Sequence, residues 1–152
     1  MSALQKLVLD TGPFLLTFTD EGGSEKIRSL IKRHENGEAE VSIHPNNLAE
    51  GYRVISVIQA SRGSKFGNQN VDPSYLVRSA YASLSVIQNE ITTINLGKLK
   101  MKYPNKPWGD LSSAALALSL STEGTRVPVV ILQHERHFSD ISEVKAIRIS
   151  EL

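Results

Sequence analysis

The chain has 152 residues, 40% of them apolar and 22% charged, which fits one globular domain with a sizeable core. Its formal net charge of +1 excludes whole-molecule steering of nucleic acid, so a polyanionic ligand would need a local basic patch. The absence of cysteine excludes disulfides, thiolate zinc sites and thiol catalysis, and no apolar run reaches the ~18 residues of a membrane span.

The opening MSALQK lacks the pattern of a secretory signal, so a cytoplasmic location is expected. LVLD (Leu7 to Asp10) reads as a short buried parallel strand ended by an acid. Gly12 and Pro13 start a new element, because Pro suits the first turn of a helix. After Asp20-Glu21-Gly22-Gly23, the residues Ile27, Leu30 and Ile31 recur at helical spacing, and Gly37 marks the stop. Glu40 to His44 is a second strand. Pro45 opens a helix that runs out near Ala60, with Leu48, Tyr52 and Ile55 as its stripe.

SRGSKFGNQNVD, from Ser61 to Asp72, is polar, basic and Gly-containing, and reads as a loop. Asp72-Pro73 supplies an N-cap and first residue for a helix carrying Leu76, Val77, Ala80, Leu84 and Ile87. Glu90 to Ile94 is expected as the third strand, and Asn95 as the cap of a short helix through Met101. YPNKPWG is a loop, Asp110 to Ser121 a small-residue helix closed by Gly124, and Val127 to Leu132 the fourth and most apolar strand. Val144 to Ile149 is a weaker fifth strand at an edge.

With no repeat or linker, the whole of 1–152 is expected to be one domain. Strands alternating with helices imply an α/β fold: a central, mostly parallel five-stranded sheet with helices on both faces. That pattern excludes one tempting motif. Asp10-Thr11-Gly12 matches the aspartic-protease triplet letter for letter, but those enzymes are almost entirely β.

Ligands of open α/β sheets bind beyond the carboxyl ends of the strands, at a topological switch point. Asp10 ends strand one, and Glu50 lies in the second turn of the helix after strand two. Asp110 opens the helix leading into strand four, unless it serves merely as that helix's N-cap, and Glu135 follows strand four by three residues. Four carboxylates in one crevice repel unless a cation lies between them. One or two hard divalent ions answer that need, and an ion pair ~3.5–4 Å apart can activate water and stabilise the leaving oxygen of a phosphodiester.

In this arrangement the sequence resembles the PIN-domain ribonucleases, of the single-domain toxin type called VapC. LVLDT (Leu7 to Thr11) is similar to the family's first strand, acid and hydroxyl residue. NLAEGYRV (Asn47 to Val54) is similar to the helix bearing the family's Glu, here Glu50. WGDLSSAALAL (Trp108 to Leu118) resembles the segment with the third acid, Asp110, and VVILQHERHFSDI (Val129 to Ile141) the stretch around strand four. Counting back from Phe138 puts Glu135 in the fourth acidic position, where the family favours Asp or Asn, with Asp140 a weaker substitute.

The resemblance covers about Leu7 to Ile149. It implies a PIN-like three-layer fold and a Mg²⁺- or Mn²⁺-dependent endoribonuclease in which Asp10, Glu50 and Asp110 hold the metal and Glu135 helps. It further implies that Thr11 supports the site or touches a phosphate through its hydroxyl. A homodimer and a small antitoxin that inserts into the acidic groove are the partners it implies, and the lack of cysteine argues against a form with a zinc ribbon.

Substrate phosphates need cations near the acids. Arg62, Lys65 and Arg136 are candidates, as is the basic stretch Lys98, Lys100, Lys102 and Lys106, with solubilising surface as the plainer reading of each. Phe66 and Trp108 are candidates for stacking on a base, though Trp108 equally suits packing over the last helix. His134, His137 and His44 fit a phosphate contact or plain surface better than a zinc site. A receiver domain lacks its acid pair and lysine here, and a nucleotide-binding domain lacks its glycine-rich loop. The remaining alternative is a PIN-like module that binds RNA or a protein without cutting.

Overall fold

The computed structural model describes residues 4–60 and 71–152. Arg62, Lys65 and Phe66 lie outside the described residues. Five strands form one sheet in the order β3-β2-β1-β4-β5, and all four pairings are parallel. The strands are β1 (Gln5–Leu9), β2 (Ala39–Ile43), β3 (Ser85–Val86), β4 (Val129–Ile131) and β5 (Ala146–Arg148). Between them run α1 (Thr11–Leu15), α2 (Ser24–Glu35), α3 (Pro45–Ala60), α4 (Pro73–Ser83), α5 (Glu90–Lys102) and α6 (Trp108–Leu120).

Successive side chains of a strand point to opposite faces, and β1 feeds two cores in this way. Leu7 and Leu9 join Val41, Ile43 and Val130 under α1 to α4, while Val8 joins Val129 and Ile131 under α5 and α6. A strand buried on both faces must be apolar at every position, which is why LVL carries no alternation. Helices on both faces therefore make three layers.

Several local readings hold in detail. α3 spans Pro45–Ala60, Gly37 takes the left-handed conformation (φ 76°) after α2, and Gly124 (φ 81°) follows α6. Asp72 caps α4, its carboxylate accepting the Ser74 N–H at 2.9 Å. β5 is an edge strand, as expected.

Four expectations are corrected. Glu90 to Ile94 is helix, not strand: Asn89 caps α5 by accepting the Thr92 N–H at 2.9 Å, and the third strand is only Ser85–Val86. The β-branched run Ile91-Thr92-Thr93-Ile94 favours a strand locally, but a capped helix packed against α6 overrides that preference. Asn95 consequently lies inside α5, where its amide donates to Ser119 Oγ of α6 at 3.0 Å. Ile87 follows β3 and is not part of the α4 stripe. In α3 the buried stripe is Leu48, Gly51 and Ile55, and Tyr52 is 44% exposed. Gly51 is there for closeness, since a Cβ would already touch Leu15 at 3.4 Å and Leu76 at 3.5 Å.

Candidate active site

In the order β3-β2-β1-β4-β5, the chain moves one way from β1 and later returns to its other side, so the switch point lies between β1 and β4. Asp10 is the first residue beyond β1, with its N–H still bonded to Val130 O at 3.2 Å. Its side chain is 4% exposed. One oxygen, Oδ1, accepts from Ser113 Oγ at 2.8 Å and from Asn47 Nδ2 at 3.2 Å.

Asn47 ties the crevice together. It is fully buried in the first turn of α3, and its Nδ2 also lies 3.0 Å from Thr11 Oγ1 and 3.1 Å from Gly109 O. The Thr11 hydroxyl in turn donates to Asn47 O at 3.4 Å, so Thr11 supports the site from within the fold. The neighbouring Asn46 donates to Ser112 Oγ at 2.9 Å. Two adjacent asparagines thereby join the N-terminal ends of α3 and α6 beside Asp10.

His44 closes the same corner. Its Nδ1 accepts the Asn46 N–H at 3.0 Å, and the ring is fully buried, which corrects the surface reading. Burial pushes its pKa below the usual histidine range.

Asp110 is the third residue of α6 and is 8% exposed. It does not cap the helix: Pro107 occupies the cap position, and α6 starts two residues earlier than expected. An acid in a first turn is favoured by the helix dipole. Glu50 reaches the same place from α3, one turn beyond Asn47. A Cβ on Gly109 would collide with Glu50 Oε2 and stand 3.1 Å from its Cδ, so glycine makes room for this carboxylate.

Glu135 arrives from the turn after β4, where its N–H bonds Leu132 O at 3.2 Å. Its Oε2 is buried and, among the described residues, has no hydrogen-bond partner. The electrostatics join all four acids. Burial pushes the Asp10 carboxyl up to about 7; the Ser113 hydrogen bond opposes this, while the charges of Asp110 and Glu135 add to it. Burial likewise raises Asp110 and Glu135, and Glu50 raises both further.

His137 stands between two of these acids, its Nδ1 3.5 Å from Asp110 Oδ2 and 3.7 Å from Glu135 Oε2. It lowers the pKa of both, opposing the burial. His134 makes no such contact. Asp140 points away into an ion pair with Lys106 at 2.6 Å, so it is no substitute for Glu135.

The candidate cations are largely engaged elsewhere. Lys106 also donates to His137 O at 3.1 Å, Lys102 pairs with Glu143 at 3.1 Å, and Lys100 donates to Lys106 O at 2.6 Å. Trp108 is 54% exposed at the start of α6, with Lys100 Nζ 4.9 Å from its ring centroid, so it does not pack beneath that helix. Lys98 and Arg136 are exposed.

The donor set is carboxylate oxygen, the chemistry a hard cation of the Mg²⁺ kind requires, and Glu135 Oε2, without a hydrogen bond among the described residues, belongs to it. As the side chains stand, no three His, Asp or Glu among the described residues form a group that could hold a metal ion. Ion binding therefore requires the carboxylates to draw closer.

A solved structure titled VapBC2 from Rickettsia felis, bound to a DNA fragment from its promoter, contains a similar chain. The two superpose with a TM-score of 0.62 over 95% of this chain and 98% of that one, at 14% sequence identity. The fold is PIN-like. No protein-family model matches the sequence, and no curated protein matches it. The likeness is therefore one of fold, and the case for chemistry rests on the crevice itself.

Sequence reasoning missed Asn47 and Ser113 as parts of the site. Each carried a usable signal: Asn47 precedes Glu50 by three residues and Ser113 follows Asp110 by three, so each shares a helix face with a named acid.

Proposed function

We propose that this protein is a Mg²⁺- or Mn²⁺-dependent endoribonuclease of the PIN type, the toxin of a toxin–antitoxin pair. The observation that carries the reading is the convergence of four carboxylates on one crevice at the β1/β4 switch point, where Asp110 and Glu135 act on the buried Asp10 and Glu50 acts on Asp110 and Glu135. Asp10, Glu50 and Asp110 would hold the cation, with Glu135 beside them. When bound, such an ion makes a water more acidic and stabilises charge developing on the phosphate.

The chain's own residues have separable tasks. Ser113 and Asn47 hold Oδ1 of Asp10 in place. Thr11 and Gly109 fix Asn47. Trp108, exposed at the crevice rim, offers a ring on which a base can stack, and Arg136 an exposed cation next to Glu135 in the chain. RNA as substrate, a small antitoxin as partner, a homodimer and a cytoplasmic location complete the reading. The VapBC2 likeness supports the antitoxin as partner, and no helix among the described residues is long and apolar enough to cross a membrane.

A second reading has one observation in its favour. His137 lies between Asp110 and Glu135, where a shared cation would sit, which suits a PIN-like module that binds RNA or protein without cutting. Incubating fluorescent single-stranded RNA with the purified protein in Mg²⁺, in Mn²⁺ and in EDTA separates the two. The nuclease reading expects metal-dependent cutting that the Asp10→Asn variant lacks. RNA binding without cutting in either metal supports the second reading instead.

A further inference from the structure

The turn that delivers Glu135 to the acids has a second side. There it borders a cavity of about 660 Å³, of which Glu135 is itself a wall. The floor is apolar and firmly packed. Leu16 and Ile149 are 5% and 4% exposed, and they converge on Gly23, where a Cβ would stand 3.5 Å from Leu16 Cδ1 and 3.0 Å from Ile149 Cγ2. Leu132 completes the floor, held in place by packing over Gly12, where a Cβ would meet its Cδ1 at 2.6 Å. At the rim stand Gln133 and His134, both exposed and, among the described residues, without a side-chain hydrogen bond.

A ligand for this cavity needs flat apolar faces and an edge bearing both donors and acceptors. The wall also carries Glu21, Glu25 and Lys26, whose ammonium donates to Ser150 O at 3.3 Å, so a free anion meets three carboxylates against one engaged ammonium, and an aliphatic chain leaves Gln133 and His134 unused. A nucleobase meets both demands. A carboxamide can donate to and accept from a base edge, and an imidazole is one of the side chains on which unstacked bases are held. Position narrows the choice further. Glu135 belongs both to the cavity wall and to the acid cluster, and Leu132 of the floor packs over Gly12, two residues beyond Asp10, so the floor adjoins the crevice in which a phosphate would lie.

We propose that this cavity is a nucleobase subsite, which receives the base flanking the scissile phosphate of single-stranded RNA and sets the cleavage-site preference. The proposal rests on the nuclease reading above, and its test runs without cleavage. The methyl signals of Leu16, Leu132 and Ile149 are followed by NMR in EDTA while AMP, GMP, CMP and UMP are titrated separately. Ribose 5-phosphate and N-acetyl-leucine amide serve as controls.

At least one nucleotide is expected to shift these methyls saturably where both controls do not. Loss of a stacking contact in His134→Ala should then raise its Kd about fivefold or more. Gly22→Trp is the second variant. Gly22 lines the cavity outside the left-handed region, a Cβ there meets nothing within 4 Å, and the indole should block the nucleotide shifts.

No shift from any of the four nucleotides overturns the proposal. Equal shifts from ribose 5-phosphate overturn it in favour of a phosphate contact, and equal shifts from the leucine amide in favour of a protein side chain. RNA cutting without nucleotide shifts would remove the subsite and leave the nuclease. Nucleotide shifts without RNA cutting would do the reverse.

Discussion

Asp10 and Glu135 face the same crevice on different supports. Asp10 follows directly from the central strand, and its Oδ1 is held by side chains from two helices, Asn47 of α3 and Ser113 of α6. Glu135 sits on a turn, its Oε2 has no hydrogen-bond partner among the described residues, and its neighbour is the half-exposed His137. The contrast teaches that the crevice has a rigid pole and an adjustable one. An ion would be positioned by the first and completed by movement of the second.

The largest expected difference is in RNA cleavage. Asp10→Asn should lower the rate about a thousandfold or more, whereas Glu135→Gln, on the adjustable pole, should cost about ten- to a hundredfold. Equal losses, measured as single-turnover rates at saturating Mg²⁺, would erase the distinction between the poles.

Gly109→Ala should sharpen it. Alanine is the better helix former by about 1 kcal/mol, yet its Cβ would displace the Glu50 carboxylate from the N-terminal end of α6. The expected result is a cleavage loss similar to that of Glu50→Gln without a fall in melting temperature. A fall in both would mean that Gly109 serves packing alone.

Asn47→Ala removes the donor shared by Asp10, Thr11 and Gly109 and should destabilise the fold by ~1–3 kcal/mol in urea denaturation. The corresponding loss for His137→Ala, on the exposed side, should be within experimental error.

A further difference is a dependence on pH. Burial first, then the charges of Asp110 and Glu135 against the Ser113 hydrogen bond, lift Asp10 from 3.8 to about 7. The folded state therefore keeps a proton that the unfolded chain releases, and stability conferred by that proton declines as pH rises from about 4 through 7. In EDTA at about pH 8, Asp10→Asn should melt several degrees above the natural protein, and at about pH 4 the two should coincide. A variant less stable at pH 8 would mean that Asp10 is not held against its charge.

The same contrast explains what the sequence made legible. Leu7, Val8 and Leu9 are buried on both faces of the sheet, and a run so uniformly apolar can be read without tertiary knowledge. Pro45 and Asp72-Pro73 fix helix starts by backbone chemistry alone, and Asp10 gains its place simply by ending β1. The segment Glu90 to Ile94 was not legible, because its β-branched residues point to a strand while its pairing with the small residues of α6 makes it a helix. Asn47 and Ser113 were obscured for another reason. Both are neutral, and their importance follows from an acid 37 and 103 residues away respectively along the chain. His137 was visible as a residue but not as a neighbour, since its position depends on how the turn after β4 folds back toward α6.

The central claim is that this crevice closes on a divalent cation. Calorimetric titration of Mn²⁺ into the natural protein and into Asp10→Asn, at about pH 6.5 in two buffers of different ionisation enthalpy, tests it most directly. The account predicts saturable binding by the natural protein, with a heat that varies with the buffer because Asp10 gives up a proton, and loss of that binding in Asp10→Asn. Absence of saturable binding by the natural protein, or binding undiminished in Asp10→Asn, would contradict it.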